Sequence, residues 1–133
     1  MRKFSQDTLW KILKAHRLWI ESKGKRGRRA NLSMECLSGA NFSGANLSEA
    51  SFSEADLFGA NLCGANLQRA NLYGANLYEA NLYGANLQRA DLYRANLLGA
   101  DLRVATAKDC WIKGAKFSSP KERARLIMLG AYE

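Results

Sequence analysis

The sequence predicts an all-β solenoid, a four-sided β-helix built from five-residue units, with a short α-helix at each end. Three observations predict it: an apolar residue at every fifth position, an Ala two residues before nearly all of them, and side-chain identities that recur after twenty residues. The chain has 133 residues, of which 47% are apolar and 24% charged, so we expect a single folded domain.

Each unit is centred on a Leu or Phe. Fifteen consecutive centres run from Leu32 to Leu102 without a break, and fourteen of them have Ala two positions earlier, with Glu35 as the exception. Weaker units through Phe117 bring the total to eighteen, over residues 30–119. Repetition at a fixed short period is typical of a solenoid.

One residue, most often Asn, separates the Ala from the Leu of a unit. Because side chains alternate along an extended segment, both apolar residues point inward and the residue between them points outward. The other two positions form a corner, and Gly fills the second of them eight times. Since Arg and Glu also occur there, we expect positive φ at only some corners.

A longer period sets the number of sides. Gln68-Arg69 recurs as Gln88-Arg89, and Tyr73 recurs as Tyr93, each after twenty residues. Four units then complete one coil, and eighteen units form a stack roughly 20 Å tall at a strand spacing of about 4.8 Å. Burial of each centre should stabilise the folded state by on the order of 1.5–3 kcal/mol.

Residues 1–29 are interpreted as an N-terminal cap followed by a basic connector, which runs from Lys23 to Arg29. Residues 6–21 place their apolar side chains on one helical face, which would cover the first coil. The members of this face are Leu9, Ile12, Leu13, His16, Trp19 and Ile20.

Residues 120–133 are interpreted as a C-terminal helix cap, because Ser119 and Glu122 match a capping box with Pro120 at the first helical position. The apolar residues of this helix would cover the last coil or pair with a second subunit, so both a monomer and a homodimer stay open. They are Ala124, Ile127 and Met128, with Leu126 or Leu129 as further candidates.

The charge is concentrated at the N-terminal end. Residues 1–29 hold ten Lys or Arg against two Asp or Glu, net +8, whereas residues 30–119 hold seven against eight, net −1. A nucleic acid or acidic lipid would therefore contact the connector, which we expect to be flexible; a solvated connector is the alternative. The candidate anion-contacting residues are Arg26, Arg28 and Arg29, together with Arg69 and Arg89 in a corner column.

The outward residue after each centre gives a candidate partner surface. Stacked by twenties, these positions form an aromatic belt that would bind another protein or serve only as a stacking ladder. The belt consists of Phe58, Tyr73, Tyr78, Tyr83, Tyr93 and Leu98.

No feature predicts catalysis, a cofactor or a metal site. His16 is the only histidine and lies on the apolar helical face, where a hydrogen-bonded core histidine is expected. Asp56, Asp91 and Asp101 fall on three different sides of the coil and are expected to bond beside corners. The cysteines lack metal-ligand spacing, and no apolar run spans a bilayer. With no secretory signal in the opening residues, the cytoplasm is the expected compartment.

The repeat resembles that of the pentapeptide-repeat proteins, whose motif is A(N/D)LXX, from Ala30 to Ser119. The resemblance implies a right-handed quadrilateral β-helix but no shared activity. A subset of the family protects DNA gyrase by presenting an acidic, DNA-like rod. We therefore expect a non-catalytic protein-interaction scaffold, with a DNA-mimicking, topoisomerase-protecting protein as the alternative that the net charge of +8 disfavours.

Overall fold

The computed structural model describes residues 4–133, so the first three residues of the predicted N-terminal cap lie outside it. In chain order its elements are helix α1 (Gln6–Glu21), strand β1 (Asn96–Leu97), strand β2 (Lys116–Phe117) and helix α2 (Pro120–Met128). Strands β1 and β2 are parallel neighbours. The rest of the repeat pairs through single-residue parallel bridges, one in each unit.

The bridges join residues twenty apart, from Asn31 with Ser51 to Asp91 with Trp111. Four five-residue units therefore make one coil, as the recurrence of side chains predicts. We number the sides of the coil by the unit centres that stack on each. The first side has centres 32, 52, 72, 92 and 112, the second 37, 57, 77, 97 and 117, the third 42, 62, 82 and 102, and the fourth 47, 67, 87 and 107.

Each unit is bonded to the coils before and after it. The Asn76 N–H donates to the Ala55 carbonyl at 2.9 Å, and the Leu77 N–H donates to the Asn96 carbonyl at 2.8 Å. The backbone N–H of the outward residue after the centre bonds within its own unit instead. The Tyr78 N–H, for example, donates to Oδ1 of Asn76 at 3.2 Å. Asn and Asp recur between Ala and Leu because they satisfy this amide within their own unit.

The core is a column of leucines lined by alanines. Unit centres from Leu32 to Leu102 are at most 3% exposed, and so are Ala107 and Ile112 in the weaker units. Phe117 is half-buried because no further coil covers β2. The predicted division into inward and outward residues is thus what the structure shows.

The expectation about corners is wrong. All seventeen second-corner residues from Met34 to Gly114 have positive φ, and nine of them are not glycine. The turn requires this geometry: the Ala70 N–H bonds the Leu67 carbonyl at 2.9 Å, and the Arg69 N–H must also reach the Gln88 carbonyl at 2.9 Å. Stacking therefore imposes one corner conformation whatever the local residue.

Helix α1 begins at Gln6 as predicted, with Ser5 as its N-cap; Ser5 Oγ accepts from the Thr8 N–H at 3.2 Å. Of the predicted apolar face, Leu9 and His16 are buried, while Ile12 and Leu13 are half-buried against the core. The helix thus lies against the first coil. Among residues 4–133, no helix is long and apolar enough to cross a membrane.

At the other end, Ser119 Oγ accepts from the Glu122 N–H at 3.3 Å, which is one half of the predicted capping box. The covering residue of α2 is Leu126, which is fully buried. Of the residues predicted first, Ala124 is exposed, as are Ile127 and Met128. The helix is therefore rotated from the expected orientation.

Two further contacts close this end, and neither was expected from the sequence. The Arg125 guanidinium donates to the Leu102 carbonyl at 2.8 Å and to the Ala105 carbonyl at 3.4 Å. The Ala105 carbonyl is the one that a following coil would bond, as Asn76 bonds Ala55. The chain after α2 then adds one more rung, with Tyr132 bridged to Trp111. Side-chain donors and a returning tail thus replace the missing coil.

Candidate interaction surfaces

The first side of the coil carries a ladder of aromatic rings. Tyr73 and Tyr93 stack with centroids 5.6 Å apart and planes 16° from parallel. The Arg94 guanidinium lies 5.1 Å from the centre of the Tyr93 ring. Both tyrosines are half-buried, so part of each ring stays accessible to a partner.

Trp111 and Tyr132 extend this side toward the C-terminal end, and sequence reasoning missed both. Their ring centroids are 5.7 Å apart, and each residue is 50% exposed. The Tyr132 hydroxyl donates to Asp109 at 2.9 Å, and this carboxylate raises the pKa of the phenol. The register could have found Trp111, since it stands twenty residues after Asp91. Tyr132 follows a helix, so no sequence period places it.

The second side carries a shorter ladder. Phe58 and Tyr78 stack at 5.7 Å between centroids with planes 10° from parallel, and both remain more than a third exposed. Leu98, next in the column, is half-buried. Stacking and exposure therefore coexist on this side, and the two explanations of the belt do not exclude each other.

Tyr83 lies alone on the third side. It is 43% exposed, and the Arg103 guanidinium lies 5.6 Å from its ring centre. Arg103 also donates to the Asp101 carboxylate at 3.0 and 2.8 Å. This contact lowers the pKa of Asp101 and raises that of Arg103. The belt is thus three separate patches, of which the first side is the largest.

The two groups of candidate anion-contacting arginines lie in different places. Arg69 and Arg89 stand at the corner between the fourth and first sides, where Arg89 is 3.8 Å from the Asp109 carboxylate. Arg26, Arg28 and Arg29 are exposed at the N-terminal end. Arg29 shares the corner register of Arg69, but Glu49 occupies the position between them.

The basic connector folds back on α1, contrary to the expected flexible segment. The Arg28 N–H donates to the Ala15 carbonyl at 3.1 Å, and the Arg26 N–H donates to Ser22 Oγ at 2.8 Å. At Gly27 a Cβ would lie 2.2 Å from the Ala15 carbonyl oxygen, so only glycine permits this approach. The arginine side chains are consequently presented from a fixed backbone.

His16 joins the cap to the first coil. Its Nδ1 accepts the Ala30 N–H at 3.0 Å, which places the ring proton on Nε2. Nε2 faces the Ser48 carbonyl without a well-formed hydrogen bond. Burial lowers the pKa of His16 and favours the neutral ring. The ring stacks on Trp19 with centroids 5.7 Å apart, so it is the packed core histidine that the sequence predicts.

The remaining titratable groups are dispersed. Oδ1 of Asp56, Asp91 and Asp101 each accepts the N–H two residues on, as expected beside corners. Burial raises the pKa of the Cys110 thiol to about 12, which keeps it protonated and unreactive. Within residues 4–133, no group of three His, Cys, Asp or Glu side chains is placed to hold a metal ion.

The sequence profile of the family described as pentapeptide repeats matches in eight copies. The segments are residues 28–62, 36–71, 55–92 and 80–118. The chain belongs to the pentapeptide-repeat family. No curated protein matches it.

Several solved structures resemble it. The pentapeptide-repeat protein alr5209 from Nostoc Pcc 7120 is 29% identical over 89% of this chain and 91% of its own, with a TM-score of 0.70. Rfr23 from the cyanobacterium Cyanothece 51142 is 40% identical over 67% of this chain, with a TM-score of 0.58. The matched part spans 57% of Rfr23. The plasmid-mediated fluoroquinolone resistance protein QnrB1 is 23% identical over 65% of this chain and 60% of its own, with a TM-score of 0.38.

Proposed function

We propose that this pentapeptide-repeat protein is a non-catalytic scaffold that binds another protein through the first side of its coil. The main support is a row of four aromatic residues along one side of the coil, of which Trp111 and Tyr132 are each 50% exposed. The row consists of Tyr73, Tyr93, Trp111 and Tyr132. Aromatic and arginine side chains held in fixed positions lose little entropy on binding and dominate the affinity of many interfaces.

The aromatic patches on the second and third sides would make smaller contributions to partner binding. Phe58, Tyr78 and Leu98 would extend the contact around the corner from the first side, while Tyr83 lies on the third. The winding that supports these sides is proposed to be right-handed and quadrilateral, and the compartment to be the cytoplasm.

Partner capture tests the proposal. A Tyr93→Ser/Trp111→Ser variant is compared with the wild type and with Gln68→Ser/Gln88→Ser, a matched change on the fourth side. We expect partners retained by the wild type and the glutamine variant to be lost from the aromatic variant. Identical partners for all three, with unfolding midpoints showing that each is folded, would remove the first side as a binding site.

Oligomeric state is a separate part of the proposal. Ile127 and Met128 of α2 and Leu129 directly after it are exposed and would form the contact of a homodimer. An Ile127→Ser/Met128→Ser variant leaves the buried Leu126 in place, so it separates dimerisation from capping. Light scattering that gives the same mass for wild type and variant would exclude this contact.

A DNA-mimicking, topoisomerase-protecting function has less support. Such a role needs an acidic rod, and residues 30–119 have a net charge of only −1. A gyrase supercoiling assay with an inhibitor checks this alternative, and we expect no rescue of activity.

A further inference from the structure

The N-terminal end carries a cationic surface that the proposed scaffold function does not use. Residues 4–29 hold eight Lys or Arg against Asp7 and Glu21, a net charge of +6. All eight cationic residues are exposed. Lys11, Lys14 and Arg17 belong to α1, and the other five belong to the connector, which backbone hydrogen bonds fix against this helix. The charges are thus gathered on one end of the molecule.

An apolar groove opens beside these charges, between α1 and the first coil. Its volume is about 570 Å³, and Leu13, Ile20 and Ala45 contribute to its lining. Ala45 is half-buried, whereas Ala65, the corresponding residue of the next coil, is fully buried. The helix therefore leaves part of the repeat core uncovered at this corner.

Trp10 joins the groove to the cationic surface. It lines the groove and is nevertheless 61% exposed. The Lys14 ammonium lies 4.8 Å from the centre of its ring. Lys14 and Arg17 are also among the groove residues, as is Glu21, which pairs with Arg17 at 2.8 Å. An exposed indole between an apolar floor and cationic side chains is a combination suited to the boundary between lipid headgroups and acyl chains.

From these features we infer that the N-terminal end docks on an anionic membrane surface. Clusters of basic residues are drawn to acidic headgroups over about one Debye length. Trp10 then inserts below the headgroups, and the groove receives part of a lipid acyl chain. This apolar contact stabilises the bound state beyond what the charges alone provide. A nucleic acid would neutralise the same charges but leave the groove of Leu13, Ile20 and Ala45 empty.

Vesicle co-sedimentation tests the inference. The full chain is mixed with vesicles of phosphatidylcholine and phosphatidylserine, and with vesicles of phosphatidylcholine alone. We expect binding only to the first, weakening as salt is added. Arg26→Ser/Arg28→Ser/Arg29→Ser should lower the partition coefficient about a hundredfold. Trp10→Ser should lower it roughly tenfold, because one apolar side chain is no longer inserted.

A matched control removes three charges from the opposite end. Lys113→Ser/Lys116→Ser/Lys121→Ser has the same net charge as the arginine variant, and we expect less than about a twofold change in binding. Equal losses in both triple variants would overturn the inference, since attraction would then follow net charge alone. Equal binding to both vesicle types, or none to either, would also overturn it.

Nucleic acid is the competing occupant, and a labelled single-stranded oligonucleotide distinguishes it. Fluorescence anisotropy measures its binding to wild type and to Trp10→Ser. Tight binding of the oligonucleotide without binding to phosphatidylserine vesicles would overturn the inference in favour of nucleic acid. The Tyr93→Ser/Trp111→Ser variant should bind vesicles like the wild type, so failure of the scaffold proposal and failure of this one are distinguishable.

Discussion

The middle coils and the two ends of this protein are stabilised in different ways. In the middle, residues such as Leu77 repeat one set of contacts, with a buried side chain and an amide bonded to the coil that follows. At the ends each contact occurs only once. His16 accepts the Ala30 N–H, the Arg125 guanidinium donates to two backbone carbonyls, and the Tyr132 hydroxyl donates to Asp109. The difference shows that a periodic sequence specifies stacking, while ending the stack requires individual residues.

The largest effect is expected in the middle coils. Leu77→Asp places a carboxylate in a fully buried position, and we expect it to lower the free energy of unfolding by at least about 4 kcal/mol, enough to abolish the cooperative transition. Tyr78→Asp, one residue later, should cost about 1 kcal/mol through loss of the Phe58 ring contact. Chemical denaturation followed by circular dichroism measures both, and similar losses would show that the inward and outward assignment is wrong.

At the C-terminal end a smaller loss is expected. Leu126→Ala empties a fully buried site, and we expect a loss of about 2–4 kcal/mol. Met128 is 88% exposed, so Met128→Ala should change the free energy of unfolding by less than about 0.5 kcal/mol. If the two variants unfold at the same denaturant concentration, Leu126 does not close the stack, and the C-terminal end does not depend on one individual residue.

The corners provide a test with the opposite sign. Val104 is β-branched and has φ of 62°, a conformation that such residues rarely adopt. Val104→Gly should raise the free energy of unfolding by about 1 kcal/mol, because relief of this strain exceeds the entropic cost of glycine. Gly84→Val, at the same corner one coil earlier, should lower it by about 1–2 kcal/mol. Destabilisation by Val104→Gly would show that the corner conformation carries no strain.

The smallest effect should come from pH at the N-terminal end. The folded pKa of His16 is lowered, so the unfolded chain binds its proton more readily. The contribution of His16 to the free energy of unfolding is therefore fully present above about pH 6.5, the pKa of the unfolded residue. This contribution decreases as the pH falls toward the folded pKa. Below the folded pKa it falls no further.

A conservative variant isolates this titration. His16→Asn keeps an acceptor where Nδ1 meets the Ala30 N–H but has no proton to gain, so its stability should lose this pH dependence. Trp19 emission reports the cap directly in a Trp10→Phe/Trp111→Phe background, since its ring stacks on His16. An unchanged pH profile in the asparagine variant would mean that another group titrates.

Most of the fold was predictable because its determinants are local and repeated. The spacing of Ala and Leu fixes which side chains point inward, and the recurrence of Tyr73 as Tyr93 fixes the number of units in a coil. The corner at Arg69 was not predictable from its residue. A neighbouring coil demands positive φ there, because the Arg69 N–H bonds the Gln88 carbonyl.

The candidate surfaces were predictable only in part. The register placed Tyr73, Tyr93, Phe58 and Tyr78 in columns, and their stacking follows from that placement. The connector lies on the same end of the molecule as Trp10 because Gly27 packs against Ala15. This contact joins the connector to α1, and no local sequence pattern encodes it.

By itself the sequence determined the period, the dry leucine column and the existence of a helix at each end, since each follows from spacing along one segment. The tertiary structure alone decided the common corner conformation, the choice of Leu126 over Ile127 as the covering residue, and the return of Tyr132 beside Trp111. The corner conformation depends on the next coil, because each corner N–H must reach a carbonyl there. The other two depend on where the last coil ends in space, since its exposed core and free backbone groups are covered by whichever residues lie close enough.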